Sequence, residues 1–535
     1  MAACAAALDQ LQADAYLPAQ EQFDSIISHL RESSRMTHSE LEQFLNIDGR
    51  EMLRRIFQGY LDERGPGAVT EPVLDANGQE HTHQRLHSRS LKTIFGEVSL
   101  NRQGYGGRGV ESLHPLDAEL NLPPESYSHT LQRQIACATA KESYDEVMIT
   151  IRDQTGVTVP KRQIEQSALR ASCDFELFYE QQRSQNAREV KKTGSILAIT
   201  VDGKGVPMRK SDLREATRKA AEERQPRLKH RRSPGEKTKT KRMSTVAAVY
   251  TIEPFVRIPE QIVRELAPIH EALPPRPRPE DKRVWASLKH PPEAIIGQAF
   301  EEARRRDPKH AKEWIALVDG NETQLDFLRL AAKDYGVELV IILDLIHVLE
   351  YLWKAAWAFH ASGDVAAESW VTERLAEILR GHSSSVAAGM RRSATLRGLS
   401  DLERALIDDC ADYLLKYREF LHYDRYLARG YPIATGVIEG ACRYIVKDRM
   451  EKTGARWSLE GAEAVLKLRS LQASGDFDEY WEFHLQQEYR RNHEARYENG
   501  EVPEPLPASK GKAKGSQLRL VKRPHLGCDE SNNSE

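Results

Sequence analysis

The sequence predicts an α/β fold flanked by helical regions, and two observations lead to this prediction. Between residues 195 and 343, five apolar segments of strand length alternate with more polar segments, as in an α/β sheet. Before residue 64 and after residue 348, apolar residues instead recur at the three- and four-residue spacing of amphipathic helices. The chain has 535 residues, which is more than one hydrophobic core usually serves, so several domains are expected.

The composition indicates a foldable chain with an uneven distribution of charge. Hydrophobic residues make up 40% and charged residues 29% of it, a balance typical of globular rather than disordered or membrane proteins. The net charge of −3 conceals the segment 203–242, which carries fifteen Lys and Arg against five Asp and Glu. Such a segment attracts polyanions.

No segment predicts secretion, a membrane span or a disulfide framework. The first fifteen residues lack the basic start of a signal peptide. The most apolar stretch, 336–353, is interrupted by Glu338, Asp344, His347 and Glu350. The six cysteines are far apart and form no CxxC pair, which also argues against a zinc ribbon. We therefore expect a cytoplasmic protein with no membrane partner.

The first two regions are predicted to be helical and then partly β-structured. Residues 18–64 carry two amphipathic patterns, separated by a capping box of Thr37 and Glu40. After a Gly-Pro-Gly break, residues 91–102 pivot on a Gly-Glu pair and predict a β-ribbon. The predicted domains are therefore a helical region over 1–66 and a ribbon and helical region over 67–190.

Residues 144–172 predict two short helices joined by a tight turn. The first ends at Gly156 and the second begins near Pro160, the pattern of a helix-turn-helix. Lys161 and Arg162 at the start of the second helix favour contact with DNA. An ordinary αα-hairpin would explain the same pattern without DNA.

The order of elements between residues 191 and 347 predicts a particular sheet. Strands are expected at 195–201, 245–252, 282–288, 314–318 and 337–343, with helices at 291–305 and 323–335. This order is that of an RNase H-like sheet, in which a three-strand meander is extended by α/β crossovers. The remaining regions are predicted as a helical insertion at 348–425, C-terminal helices of the same core at 426–497 and a disordered tail at 498–535.

Two aspartates follow buried strands of this predicted sheet. Asp202 and Asp319 each end an apolar run and each precede a glycine. Ligand sites gather at such strand ends, and a carboxylate there is costly to desolvate unless it is paired or binds a cation. With a third carboxylate, the two would bind a pair of Mg²⁺ or Mn²⁺ ions for displacement at phosphorus. The alternative is that each Asp-Gly pair only turns the chain.

The third carboxylate is Glu439, in the segment PIATGVIEGACR. Thr435 is expected to cap a helix whose following turns present Arg443, Lys447 and Arg449. Basic side chains after an acidic group suit a phosphate backbone, although a solvated helix face would have the same pattern. The flanking glycines permit close backbone approach and favour the functional interpretation.

Five strings carry a resemblance to a known family, and they are ITVDGKG, ALVDGN, LDLIHVLEYLWKAA, PIATGVIEGACR and TGARW. They closely resemble the ISKra-type family of bacterial insertion-sequence transposases, within the wider Mutator-like group of DDE transposases. The resemblance extends from the ribbon near Phe95 through Asn492. It implies an enzyme on an RNase H-like fold that cleaves DNA at the ends of a mobile element and joins the freed 3′-hydroxyls to target DNA.

The resemblance also implies roles for five residues. Asp202, Asp319 and Glu439 would be the catalytic triad and would hold two divalent ions. Asp344 and His347 match an Asp-x-x-His motif after the fifth strand and would help to shape the site. Asp344 also follows a strand and so competes with Asp319 as the second metal ligand; Asp319 is favoured because it ends the strand beside the first. His347 could equally be a structural histidine on its helix, with its ring hydrogen-bonded within the protein.

Further residues are predicted to contact DNA, and they are Lys204, Arg231, Arg232, Arg456 and Trp457. The basic stretch 214–242 lies between the first two strands and is expected to follow phosphates, or else is a solvated loop. Trp457 either stacks on a base or packs the C-terminal helix. The partners would be double-stranded DNA, as terminal repeats and as target, and further copies of the chain, in the nucleoid. The alternatives are an RNase H-like nuclease or resolvase, and a DNA-binding protein without activity.

Overall fold

The computed structural model describes residues 14–33, 35–184, 193–222, 240–266, 275–361 and 363–506. The chain divides into two compact units. The first contains the residues up to Ser90, then 98–122, then those from His493 onward, and the second contains residues 91–97 and 123–492. Arg231, Arg232 and most of the predicted tail lie outside the described residues.

The first unit joins a helical hairpin to a small sheet. Its helices are α1 (Leu17–Glu32), α2 (His38–Arg64) and the short α3 (Pro115–Glu119). Thr37 and Glu40 form the predicted capping box at the start of α2. The strands β1 (His83–Thr93), β2 (Gly96–Gly107) and β3 (Val110–Leu113) form one sheet in that order. The ribbon and the two helices predicted from the sequence are therefore present, and residues 91–97 of the ribbon belong to the second unit.

The second unit begins with four helices, and they are α4 (His129–Thr139), α5 (Tyr144–Thr155), α6 (Lys161–Ala171) and α7 (Phe175–Ser184). The two helices predicted between residues 144 and 172 are present as α5 and α6. α5 ends at Gly156, whose φ of +72° suits glycine at a helix end. Val147, Ile151 and Ile164 pack together with α4 in one apolar cluster, so the two short helices share a core with α4.

A five-stranded mixed sheet forms the centre of the second unit. Its strands are β4 (Ile196–Pro207), β5 (Lys241–Ile252), β6 (Glu280–Ser287), β7 (Glu313–Val318) and β8 (Leu339–Leu343). The order across the sheet is β6-β5-β4-β7-β8. β5 is antiparallel to both of its neighbours, whereas β4, β7 and β8 are parallel. The α/β fold and the five strands predicted between residues 195 and 343 are thus observed.

Helices cover the sheet and account for its apolar strands. α8 (Glu215–Glu222) and α9 (Pro259–Leu266) lie in the connections between the first three strands, and α10 (Pro292–Arg306) and α11 (Glu322–Tyr335) in the crossovers that follow. Residues 196–199 of β4 are all buried, which indicates that both faces of the central strand are covered. β4 does not end at Asp202, as the Asp-Gly pair had suggested, because its ladder with β5 continues to Pro207.

The rest of the second unit is helical. The helices before Glu439 are α12 (Leu345–Ala356), α13 (Val365–Leu379), α14 (Ser383–Leu396), α15 (Asp401–Lys416) and α16 (Tyr423–Ala428). Those that follow are α17 (Gly436–Ala441), a π-helix (Cys442–Lys447), α18 (Asp448–Met450), α19 (Leu459–Ser474) and α20 (Phe477–Asn492). α19 lies against β6, where Glu463 accepts hydrogen bonds from Ser287 and the backbone N–H of Leu288. None of the described helices is long and apolar enough to cross a bilayer.

Candidate metal centre

The three parallel strands bring three aspartates to one edge of the sheet. β4 and β7 pair Thr200 with Leu317, so Asp202 and Asp319 each lie two residues beyond that pair. β7 and β8 pair Val318 with Leu343, so Asp319 and Asp344 each follow directly. Because parallel strands in register carry these residues to the same height, Asp202 within β4 lies level with the carboxyl ends of β7 and β8, the edge at which ligand sites gather.

Asp202 is held within a regular strand. It pairs with Val246 of β5 and is half-buried. Its Oδ1 accepts a hydrogen bond from the backbone N–H of Gly203 (2.5 Å), and its Oδ2 accepts one from Sγ of Cys442 (3.2 Å). Burial and the nearby Asp202 raise the pKa of Cys442, so the thiol stays protonated and remains a donor to the carboxylate.

Asp319 lies in the turn between β7 and α11. Its Oδ1 accepts a hydrogen bond from the backbone N–H of Asn321 (2.9 Å), and Asn321 in turn caps α11. Gly320 has a φ of +95°, a conformation that favours glycine. The carbonyls of Asp319 and Gly320 accept hydrogen bonds from the hydroxyls of Tyr413 and Tyr417, at 3.3 and 2.5 Å. The hydrogen bonds to Asn321 and to the two tyrosines thus hold the turn, while the carboxylate of Asp319 remains half-buried.

Asp344 and His347 form a bonded pair behind this edge. Asp344 is fully buried, and its two carboxylate oxygens accept hydrogen bonds from the backbone N–H of Thr435 (2.9 Å) and from Nδ1 of His347 (2.8 Å). The hydrogen bond to Asp344 raises the pKa of His347 to about 9, aided by the charges of Asp344 and Asp319 and opposed by burial. His347 is therefore a cation at neutral pH, and Asp344 ties β8 to the segment that precedes α17.

Glu439 is exposed on α17, and its carboxylate faces this group of charges. Partial burial raises the pKa of Glu439, and so do the charges of Asp344 and Asp202, while His347 opposes the shift. Thr435 was predicted to cap α17, but its side chain makes no capping hydrogen bond. Its backbone, at φ −87° and ψ 26°, lacks the extended conformation of a capping residue, and its N–H is bound to Asp344 instead.

A cleft of about 480 Å³ opens beside the candidate centre. It is lined by Asp319, Gly320, Asn321, His347, Tyr351, Asp409, Asp412, Tyr413, Lys416 and Tyr417. The rings of Tyr351 and Tyr413 are stacked at 3.9 Å, and Tyr417 meets Tyr413 edge to face at 5.0 Å. None of these tyrosines was predicted as a site residue. Their only local signal is the four-residue spacing of 413 and 417, which places both on one side of a helix.

Several predicted DNA-contacting residues are accessible. Lys161 and Arg162 are exposed at the start of α6, where Lys161 pairs with Asp145 at 2.8 Å. Arg443 and Lys447 are exposed on the π-helix that follows α17. Arg456 is also exposed, and Lys204 is half-buried on β4. The exposed side chains among them are accessible to a phosphate group.

Arg449 and Trp457 are buried, so predicting DNA contact for them was wrong. Arg449 is 2% exposed, donates through Nε to the carbonyl of Thr139 (3.1 Å) and lies 4.8 Å from the Trp457 ring centre. The indole N–H of Trp457 is bound to the carbonyl of Met450 at 2.9 Å, so the packing alternative is correct. Arg443 is exposed and Arg449 is buried, so the two side chains lie on different sides of this helical segment.

A second group of ligand-type side chains lies elsewhere in the same unit. Cys173, Asp174, His484 and Glu488 have ligand atoms within 4.8 Å of one another. Arg491 is bound to both carboxylates of this group, and Arg170 binds Glu488 at 2.6 Å. Two arginines therefore balance its two carboxylates, as in a structural ion-pair network, and none of the predicted metal ligands belongs to it.

Asp202 and Asp319, both half-buried, and the exposed Glu439 offer carboxylate oxygens as ligands. Oxygen donors suit Mg²⁺ and Mn²⁺. Burial first, and then the negative charges of Asp344 and Asp202, raise the pKa of Glu439, and a bound cation would offset both effects. Neither a protein-family model nor a curated protein matches this sequence.

Proposed function

We propose that this chain is a DDE transposase of an insertion sequence, which cleaves DNA at the element's ends and joins the strands to target DNA. The observation that carries the proposal is that Asp202 and Asp319 lie at the same edge of the sheet and that the charge of Asp202 also acts on Glu439. The strand order, a meander extended by two parallel crossovers, supports an RNase H-like core. The resemblance of five sequence strings to the ISKra-type family supports the same conclusion.

Asp202, Asp319 and Glu439 are the residues that would hold two Mg²⁺ or Mn²⁺ ions. Such ions supply an activated water or 3′-hydroxyl and stabilise the leaving oxygen in displacement at phosphorus. These donors fit a divalent cation, because all three side chains are carboxylates. The negative charges of Asp202 and Asp344 already raise the pKa of Glu439.

The other residues of the site have binding and orienting roles in this proposal. Asp344 orients the ring of His347 through the Nδ1 hydrogen bond, and the protonated ring offers Nε2–H to a phosphate oxygen of the bound strand. His347 also lines the cleft beside Asp319. The exposed Arg443 and Lys447 follow Glu439 along the chain and suit further phosphates of the same strand.

The helices α5 and α6 are the proposed helix-turn-helix for the terminal repeats. The exposed Lys161 and Arg162 lie at the start of the second helix, the part of a recognition helix that approaches DNA. Joining two element ends requires that both be held at once, so the active form is proposed to be an oligomer of this chain on DNA.

Cleavage of a labelled end-sequence duplex by the purified full-length protein with Mg²⁺ tests the proposal. Asp202→Asn, Asp319→Asn and Glu439→Gln should each lower the rate by more than about 100-fold. The matched control is Asp326→Asn, an exposed carboxylate on α11, which should cleave normally. Retained cleavage in all three variants contradicts the triad. Pre-cleaved ends that are never joined to target DNA would instead indicate a nuclease.

A further inference from the structure

Four tyrosine hydroxyls of the helical region bind backbone carbonyls in β8 or in the turn after β7, the two strands that lead into the candidate centre. Each donates a hydrogen bond to a backbone carbonyl. The pairs are Tyr413 to Asp319 (3.3 Å), Tyr417 to Gly320 (2.5 Å), Tyr423 to Leu343 (2.8 Å) and Tyr426 to Ile341 (3.3 Å). Because the same contact recurs at two neighbouring strands, it is a systematic feature of the way these helices join the sheet.

Two of the four carbonyls lie in a turn, and the other two lie within a strand. β7 ends at Val318, so the carbonyls of Asp319 and Gly320 lie beyond the strand. Ile341 and Leu343, in contrast, are part of β8. Tyr413 and Tyr417 therefore fix a turn that the sheet itself does not hold, and this turn carries the carboxylate of Asp319.

The two tyrosines are themselves rigidly placed. Both are buried, their rings meet edge to face, and Tyr351 stacks on Tyr413. The Tyr413 hydroxyl donates to the carbonyl of Asp319 in the turn. The Tyr417 ring also packs on Gly320, where an added Cβ would lie 3.3 Å from it. Ring packing and hydroxyl thus constrain the turn together.

We propose that Tyr413 and Tyr417 are positioning residues that set the direction of the Asp319 carboxylate toward a divalent metal ion. The helical region 345–428 is then part of the metal centre's support rather than a separate appendage. The inference rests on the proposed function, because it assumes that Asp319 binds a metal. Groups that orient a metal ligand without touching the metal commonly affect affinity strongly.

Tyr413→Phe and Tyr417→Phe in the full-length protein test this inference, since each removes one hydroxyl and keeps the ring. Tyr426→Phe is the matched control, because it removes a similarly buried hydroxyl from a carbonyl within β8. Mn²⁺ binding without DNA is measured by electron paramagnetic resonance of the free ion. The two variants should bind Mn²⁺ roughly 10-fold more weakly, whereas Tyr426→Phe should bind it as the wild type does.

Thermal unfolding of the same variants separates positioning from stability. All three should lose a similar, small amount of melting temperature, so weaker Mn²⁺ binding confined to the first two supports positioning. Equal Mn²⁺ affinity in all three overturns the inference. If Asp319→Asn binds Mn²⁺ as well as the wild type, the proposed function of Asp319 fails, and the inference falls with it; the two failures are therefore distinguishable.

Discussion

The ends of β7 and β8 are neighbours in the sheet, yet they place an aspartate in opposite environments. Asp319 is half-buried, lies in a turn and lines an open cleft. Asp344 is fully buried, begins a helix directly, and has both carboxylate oxygens bound by donors of the protein. The position of an aspartate after a strand is therefore not enough to make it a ligand. Its burial and its hydrogen-bond partners decide what it can bind.

The difference follows from the residues that come next. Asp319 precedes Gly320, which takes a positive φ in the turn before α11, and its carboxylate lines the cleft. Asp344 precedes an apolar helix whose third residue, His347, points back to it. A buried carboxylate is stable only with such partners, so the proposed role of Asp344 is to orient His347, and the proposed metal ligand is Asp319.

The largest expected effect contrasts the two aspartates directly. Asp319→Asn should lower DNA cleavage by more than about 100-fold while the free energy of unfolding stays close to that of the wild type, because the amide is isosteric and half-exposed. Cleavage assays and urea denaturation on the same preparations measure both quantities. A stable Asp344→Asn variant without any Mn²⁺ binding, next to an Asp319→Asn variant that binds normally, would reverse the assignment.

Removal of the buried carboxylate should mainly affect stability. Asp344→Ala leaves the N–H of Thr435 and the ring of His347 without their acceptor, so we expect the free energy of unfolding to fall by about 2–4 kcal/mol. Urea denaturation measures this loss. Asp326→Ala on α11, whose side chain is exposed, should change it by less than about 0.5 kcal/mol. Equal stability of the two variants would contradict the structural role of Asp344.

A substitution in the turn after Asp319 should have a smaller effect, on the free energy of unfolding. Gly320→Ala forces a positive φ on a side chain whose Cβ would lie 3.3 Å from Leu343 and the Tyr417 ring, so a loss of about 2 kcal/mol is expected. Gly336→Ala is the control, because Gly336 also has a positive φ but its Cβ would meet nothing within 4 Å. Urea denaturation of both variants separates backbone strain from contact, and an equal loss in both would argue against close packing of Tyr417 on the turn.

Local patterns predicted the sheet but not the long-range contacts of the site. The apolar runs and the two Asp-Gly pairs located β4 and β7 because strand and turn preferences are local. The continuation of β4 past Asp202 was missed, since its glycines and Pro207 suggest a turn while the ladder with β5 overrides them. The bonds from Tyr413 and Tyr417 reach residues almost a hundred positions away, and no local spacing encodes that.

The smallest expected effect is the pH dependence of the Asp344–His347 pair. The pKa of His347 is raised to about 9 in the folded state from an ordinary value of about 6.5, so its contribution to stability is complete below pH 6.5 and is lost as pH rises through 9. Because the side chain is 35% exposed, the contribution is discounted to on the order of 1 kcal/mol.

Urea denaturation of the wild type and His347→Gln at pH 6, 7.5 and 9.5, in metal-free buffer, measures this contribution. The stability difference between them should shrink toward high pH. In an Asp344→Asn background the same comparison should lose its pH dependence, because the partner that raises the pKa of His347 is then neutral. A difference that stays constant across this range in the wild-type background would show that His347 is not charged beside Asp344, and the orienting role assigned to Asp344 would lose its electrostatic basis.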